Sequence, residues 1–362
     1  MIFCNDDRII VYPVDRESLS VIKSTENFPY IHLTWLISPE SWGHEGEYYK
    51  SHNGMIEVVH NYEDKLNDCT AVWIVDSWND LDFYHYIEPK IKLAKLKGKR
   101  IICSRNLTTP EKTFLSGIKI EFFDYSTFKP KICYEHRVRE IRSPVIFVMT
   151  SNEFCNQFYI ETALYAELSN RGYEVLYISS RKECAAFGGQ AVPRFIFSGT
   201  FTENEKVLAM NHYIYHLEMI HQPDIIIIGV PGSAMTYNHQ YSTDFGIIAY
   251  EISEAVRPDF AILSSLCRPY DIDYFKGIED SLLGRLGVRI DVHSLSPYAP
   301  DFNNPFGEKK LSYLSLDDAY VRGMIEQTAY NNLLNLNEMD GISTAVDRLV
   351  DKLSVDVNSI IA

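Results

Sequence analysis

The sequence predicts an α/β protein of two doubly wound, mainly parallel-sheet domains of Rossmann-like and P-loop-like type, followed by C-terminal helices. Three observations carry that expectation. Short apolar, β-rich runs recur along the chain without polar alternation, as strands covered on both faces must. Segments with helical spacing lie between them, which implies parallel crossovers. A length of 362 residues also exceeds what one core ordinarily holds.

In chain order, the first strands are expected at 9–14 (IIVYPV), 30–37 (YIHLTWLI), 71–76 (AVWIVD), 100–104 (RIICS) and 118–124 (IKIEFFD). The clearest helix between them is HYIEPKIKLAKLKGKR, whose lysine-rich end suits a helix C-terminus and whose Gly98 provides the stop. The basic segment Tyr134 to Pro144 marks the domain boundary, because its proline restarts an extended chain. Strands follow at 145–149 (VIFVM), 174–178 (EVLYI), 224–230 (DIIIIGV), 259–265 (DFAILSS) and 288–293 (VRIDVH), with helices starting near Gln157, Thr202, Thr243 and Asp271. Gly172 and Gly287 stand where helices end. The domains are therefore 1–140, flavodoxin- or Rossmann-like; 141–316, with a degenerate P-loop-like strand-loop-helix; and 317–362, helices packed on the second domain.

Composition narrows the function. A formal charge of −15, from 49 acidic and 34 basic residues, repels nucleic acid and anionic membrane. The N-terminus MIFCNDDRII lacks the basic start of a signal peptide, and runs such as IIIIGV are too short to span a bilayer, so a cytoplasmic location without membrane insertion is expected. Seven scattered cysteines with no C-x-x-C pair argue against a disulfide framework or a metal ribbon. No metal site is expected: His212 and His216 share a helix face but lack a third ligand.

Ligands of open α/β sheets bind beyond the carboxyl ends of strands, so the loops there hold the candidates. The stretch VIFVMTSNEFCNQF has the order of a phosphate-binding loop without its glycines and lysine. Thr150, Ser151, Asn152, Asn156 and Gln157 offer neutral donors at a helix N-terminus; the alternative is an inert turn. The loop after IIIIGV contributes Gly229, Pro231, Gly232 and Ser233, with Thr236, Asn238 and His239 beyond; Gly229 stands where many nucleotide hydrolases carry a metal-linked aspartate. Arg181 and Lys182, in the loop after EVLYI (174–178), are able to replace the missing cation or to be solvated. Cys155, His44 and Asp244 are weak catalytic candidates; His44 sits with Glu40 and Trp42 in SPESWGHEG, and Cys184 is a second cysteine near a strand end. Nucleotide is a conceivable cofactor whose binding these losses argue against, and whether the protein is an enzyme stays open at this point.

Several stretches together resemble the peptide maturation system proteins of clostridia and relatives: IIVYPVDRE, ISPESWGHEG, YIEPKIKLAKLKGKRIIC, SNEFCNQF, LSNRGYEVLYISS, AAFGG, PRFIFS, HQPDIIIIGVPGS and TDFGIIAYEISEAVRPDFAILS. The similarity runs from about residue 9 to about 293. It implies a role in maturing a ribosomally made peptide natural product, beside a radical or other modifying enzyme. The family loop reads Cys, acidic, Lys, aromatic, whereas here it is Cys155, Asn156, Gln157, Phe158, which removes the lysine. The expectation is a biosynthetic protein binding precursor peptide, a nucleotide-like ligand or both in an interdomain cleft, with a homodimer possible. The alternatives are a non-catalytic scaffold for a partner enzyme and a nucleotide-dependent enzyme with an altered loop.

Overall fold

In the computed structural model the chain divides into two compact units, Met1–Tyr125 with Lys182–Gly188, and Ser126–Arg181 with Gly189–Ala362. The structure describes residues 2–77, 81–128, 137–153, 155–238, 243–301 and 312–361.

The first unit is built on seven strands: β1 Ile9–Tyr12, β2 Leu33–Ile37, β3 Tyr48–Ser51, β4 Gly54–Val59, β5 Ala71–Ile74, β6 Arg100–Cys103 and β7 Glu121–Phe122. Their order is β3-β4-β2-β1-β5-β6-β7. From β1 the chain winds outward on both sides, and only β3 runs antiparallel, against β4. Strands β1 and β5 are fully buried, as their unbroken apolar runs require. Helix α1, Arg16–Ser24, starts at Asp15, whose carboxylate accepts the Glu17 amide in a capping box with Ser18. Three further helices, α2 Tyr62–Lys65, α3 Glu88–Leu96 and α4 Thr109–Phe114, complete it. Tyr62, Ile87, Ile91 and Ala94 close the core over Ile10, Val72 and Ile74.

The second unit's main sheet is all parallel, in the order β10-β9-β11-β8-β12-β13. Its strands are β8 Val145–Thr150, β9 Val175–Ser179, β10 Gln190–Ala191, β11 Ile225–Gly229, β12 Phe260–Ser265 and β13 Val292–Leu295. The central β8 lies between β11 and β12, so the loop that follows it is flanked by the ends of both. Strands β14 Tyr298–Asp301 and β15 Ser312–Ser315 form a separate antiparallel pair. The helices are α5 Gln157–Asn170, α6 Glu203–His221, α7 Ile247–Ala255, α8 Ile272–Leu286, α9 Asp318–Thr328 and α10 Met339–Ile361. Thr202 caps α6 and Asp271 caps α8, as the sequence predicts, and Gly287 ends α8 in the left-handed region.

The segment leading to Pro144 belongs to this second unit, which starts at Ser126. Its attachment is visible in α6. Asn211 accepts the Arg139 amide and donates to the Arg139 carbonyl, and the Glu218 carboxylate accepts the Arg142 and Ser143 amides at 2.8 and 2.7 Å. Helix α7 begins at Ile247 rather than near Thr243, because Thr243–Gly246 form a 3-10 turn first.

Candidate functional site

The carboxyl edge of the second sheet brings together most of the predicted residues. Strand β8 ends at Thr150, whose carbonyl accepts the Ala234 amide at 2.7 Å and whose hydroxyl donates to the Gly232 carbonyl at 3.4 Å. The Ser151 amide donates to the Ser264 carbonyl of β12 at 2.9 Å. Ser151, Asn152, Pro231 and Ser233 are thereby drawn to the ends of three adjacent strands and buried. Gly232 adopts φ +74°, a turn conformation that favours glycine.

The loop before α5 is committed to its own structure. Gln157 donates both amide hydrogens to backbone, to Val148 O at 3.0 Å and Val230 O at 2.9 Å, which laces β8 to β11 at the place where a phosphate-binding loop would put its lysine. Asn156 is left-handed at φ +54° and donates to Asn337 Oδ1 at 2.9 Å. Asn337 in turn donates to the Leu295 carbonyl at 2.7 Å, so the segment before α10 fixes this loop.

Beneath the loop lies a group that the sequence reading missed. Glu161 is fully buried on α5, and its Oε2 accepts from Tyr177 at 3.0 Å and Ser179 at 2.6 Å. Its Oε1 is buried with no hydrogen-bond partner among the described residues. Burial pushes its carboxyl up to about 7, against the hydrogen bonds of Ser179 and Tyr177 and the charge of Arg181. This explains Gly229. A Cβ there would stand 1.9 Å from Glu161 Oε1, so the glycine makes room for the acid rather than for a ligand. The signal was present in the helix: Phe158 to Leu164 is buried throughout, and an acid inside such a stretch is a buried acid.

Arg181 lies over the Phe158 ring at 5.4 Å from its centroid. Its sequence neighbour Lys182 belongs to the first unit, where its amine donates to Asn106 Oδ1 at 2.7 Å.

The catalytic candidates do not assemble. Cys155 is buried and burial raises its thiol to about 12, which stands against a nucleophile's role. We expect iodoacetamide at pH 8 to label the exposed Cys4 in the folded protein and to reach Cys155 only after denaturation, as peptide mapping will show. His44 pairs with Glu47 at 3.0 Å in the first unit. The side chain of Asp244, and His239, lie outside the described residues. His212 contacts the Arg137 carbonyl at 3.2 Å, and the described residues hold no group of three metal-binding side chains.

Three polar atoms at the same edge lack hydrogen-bond partners among the described residues: Asn152 Nδ2, Ser264 Oγ and Ser265 Oγ. Across the loop tips, Arg268 donates to Tyr237 at 3.1 Å and Tyr270 stacks on Tyr274 at 3.9 Å. The edge thus presents neutral polar atoms and tyrosines, with Arg268 at the loop tips and a buried acid beneath.

Fold and edge define a two-unit Rossmann-like α/β protein with C-terminal helices. In agreement, the chain is similar to the crystal structure of a DUF1611 family protein from Anabaena variabilis, at 11% identity and TM-score 0.58, covering 94% of this chain and 100% of that one. No family model and no curated protein matches the sequence. No described helix is long and apolar enough to cross a membrane.

Proposed function

We propose that the protein is a binding component in the maturation of a ribosomally made peptide, holding a peptide segment at the carboxyl edge of the second sheet rather than a nucleotide. The observation that supports this most is Gln157. Its two donors are spent on Val148 and Val230, and the group beneath it is the acid Glu161, so the position that holds the lysine of a phosphate-binding loop offers a triphosphate neither a cation nor a free donor. A peptide asks for something else. Its amides both donate and accept, matching Asn152, Ser264 and Ser265, whose burial without partners costs about 1–3 kcal/mol each. The tyrosines at the loop tips suit apolar side chains with polar tips. With Cys155 held as a thiol, modification of the peptide falls to a partner radical or other modifying enzyme.

The test is a thermal-shift titration with the small peptide encoded beside the gene, and separately with ATP and Mg²⁺. We expect the peptide to raise the melting temperature, equivalent to about 2.7 kcal/mol at a hundredfold excess over Kd, and millimolar ATP to leave it unchanged. A shift with ATP and Mg²⁺ that Gln157→Ala abolishes would overturn the reading in favour of a nucleotide-dependent enzyme.

A further inference from the structure

The first sheet has its own carboxyl edge, where β5 and β6 end beside Lys182. That side chain is 6% exposed, and its acceptor among the described residues is the neutral amide oxygen of Asn106 at 2.7 Å, not a carboxylate. Asn106 is exposed and passes the connection on. Its Nδ2 donates to Asp76 Oδ2 at 2.7 Å and its backbone amide to Asp76 Oδ1 at 2.9 Å. Arg105 completes the group, donating to the Leu81 carbonyl at 2.8 Å and Ser77 at 3.4 Å while its Nε is buried without a hydrogen-bond partner among the described residues. The positive charges of Lys182 and Arg105 both act on Asp76.

A lysine buried against a neutral acceptor holds its proton poorly, which is how proteins make amines nucleophilic. Burial lowers the Lys182 amine against the opposing charges of Asp76, Glu183, Cys103 and Asp124 and the Tyr125 ring 5.8 Å away, and burial raises Asp76. Once deprotonated, the Lys182 nitrogen keeps one hydrogen and a lone pair beyond its hydrogen bond to Asn106, at the strand edge where α/β sheets place their ligands.

We infer that Lys182 is a nucleophilic amine that takes a small α-keto acid as a covalent imine at the carboxyl edge of the first sheet. The amine lone pair attacks the keto carbon, forming the C–N bond, and the carbonyl oxygen takes up a proton to give a carbinolamine. That oxygen then leaves as water while nitrogen gives up its second hydrogen, so amine and ketone become imine and water with no oxidant or reductant. Asn106 fixes Asp76 in place through two hydrogen bonds, and Asp76, whose charge acts on Lys182, is the nearby carboxyl group to take up and return the protons. Arg105, whose charge acts on the same Asp76 as that of Lys182, is the neighbouring cation for the ligand's carboxylate. All of these residues lie in the first unit, so the inference stands or falls separately from peptide binding at the second.

The full chain is incubated with pyruvate and sodium borohydride at pH 7, digested, and mapped by mass spectrometry. Borohydride reduces an imine to a stable secondary amine, so the Lys182 peptide gains one reduced pyruvate. It should do so faster than Lys50, whose side chain is 69% exposed, because burial lowers the Lys182 amine and leaves more of it neutral. Acetone, a ketone of similar size that lacks the carboxylate, should label Lys182 more slowly than pyruvate, and Lys182→Met should lose the label. Labelling of Lys182 no faster than Lys50 in the unaltered protein overturns the nucleophilic amine, whether or not the variant folds. Equal labelling by acetone and pyruvate overturns the keto-acid assignment.

Discussion

Gly229→Ala is expected to destabilise the second unit by about 3 kcal/mol, the upper end of the cost of overpacking a core. The added Cβ would fall 1.9 Å from one carboxyl oxygen of Glu161 and 2.1 Å from its carbon. The acid has no easy retreat, since its other oxygen is held by Tyr177 and Ser179 and α5 is buried around it. Urea denaturation gives the change directly. Combining the substitution with Glu161→Ala removes the colliding group, so the double variant should recover more than about 1 kcal/mol relative to the sum of the single effects. Strict additivity would show that the strain at 229 has another source.

Glu161→Gln should remove a pH dependence of comparable size. The folded carboxyl sits near 7 against an ordinary 4.5, so the folded state binds the proton more tightly than the unfolded one. Its contribution is fully present below pH 4.5, falls as the unfolded chain ionises, and is lost once the folded carboxyl ionises near 7. A gap of that size is worth about 3 kcal/mol between pH 4 and pH 8 at roughly 1.4 kcal/mol per pH unit. Every other group is shared by the two proteins, so the difference between their stability curves isolates Glu161. The glutamine protein should nearly match the parent at pH 4 and exceed it at pH 8; parallel curves would refute the assignment.

The buried strands were legible because burial on both faces leaves unbroken runs such as IIIIG in β11 and VIFVMT in β8. The hairpin β3–β4 was not, since YYKS and GMIEVV are half exposed and mix polar with apolar residues. Strand β7 shrinks to Glu121–Phe122 for a related reason: it lies at the sheet edge, where pairing on one side supports fewer residues. At the candidate site, position was legible and chemistry was not. Strand-end loops followed from the alternation of elements, but Gln157 and Gly229 were read as what a nucleotide loop had lost. Their roles depend on Val148, Val230 and Glu161, residues up to 73 positions away in the chain. Lys182 shows the same limit, because burial of a charged side chain depends on tertiary packing that local sequence does not announce.

The lacing of Gln157 and the seating of Glu161 against Gly229 also bear on how such a sequence can change by descent. Lysine at 157 alone would surrender the amide that ties two strands, and aspartate at 229 alone would collide with an acid already there. Each step toward a metal-nucleotide loop therefore passes through a less stable protein, and selection against such intermediates is expected to keep the three positions together. Among relatives, a side chain at the position of Gly229 should appear only where the position of Glu161 has become small.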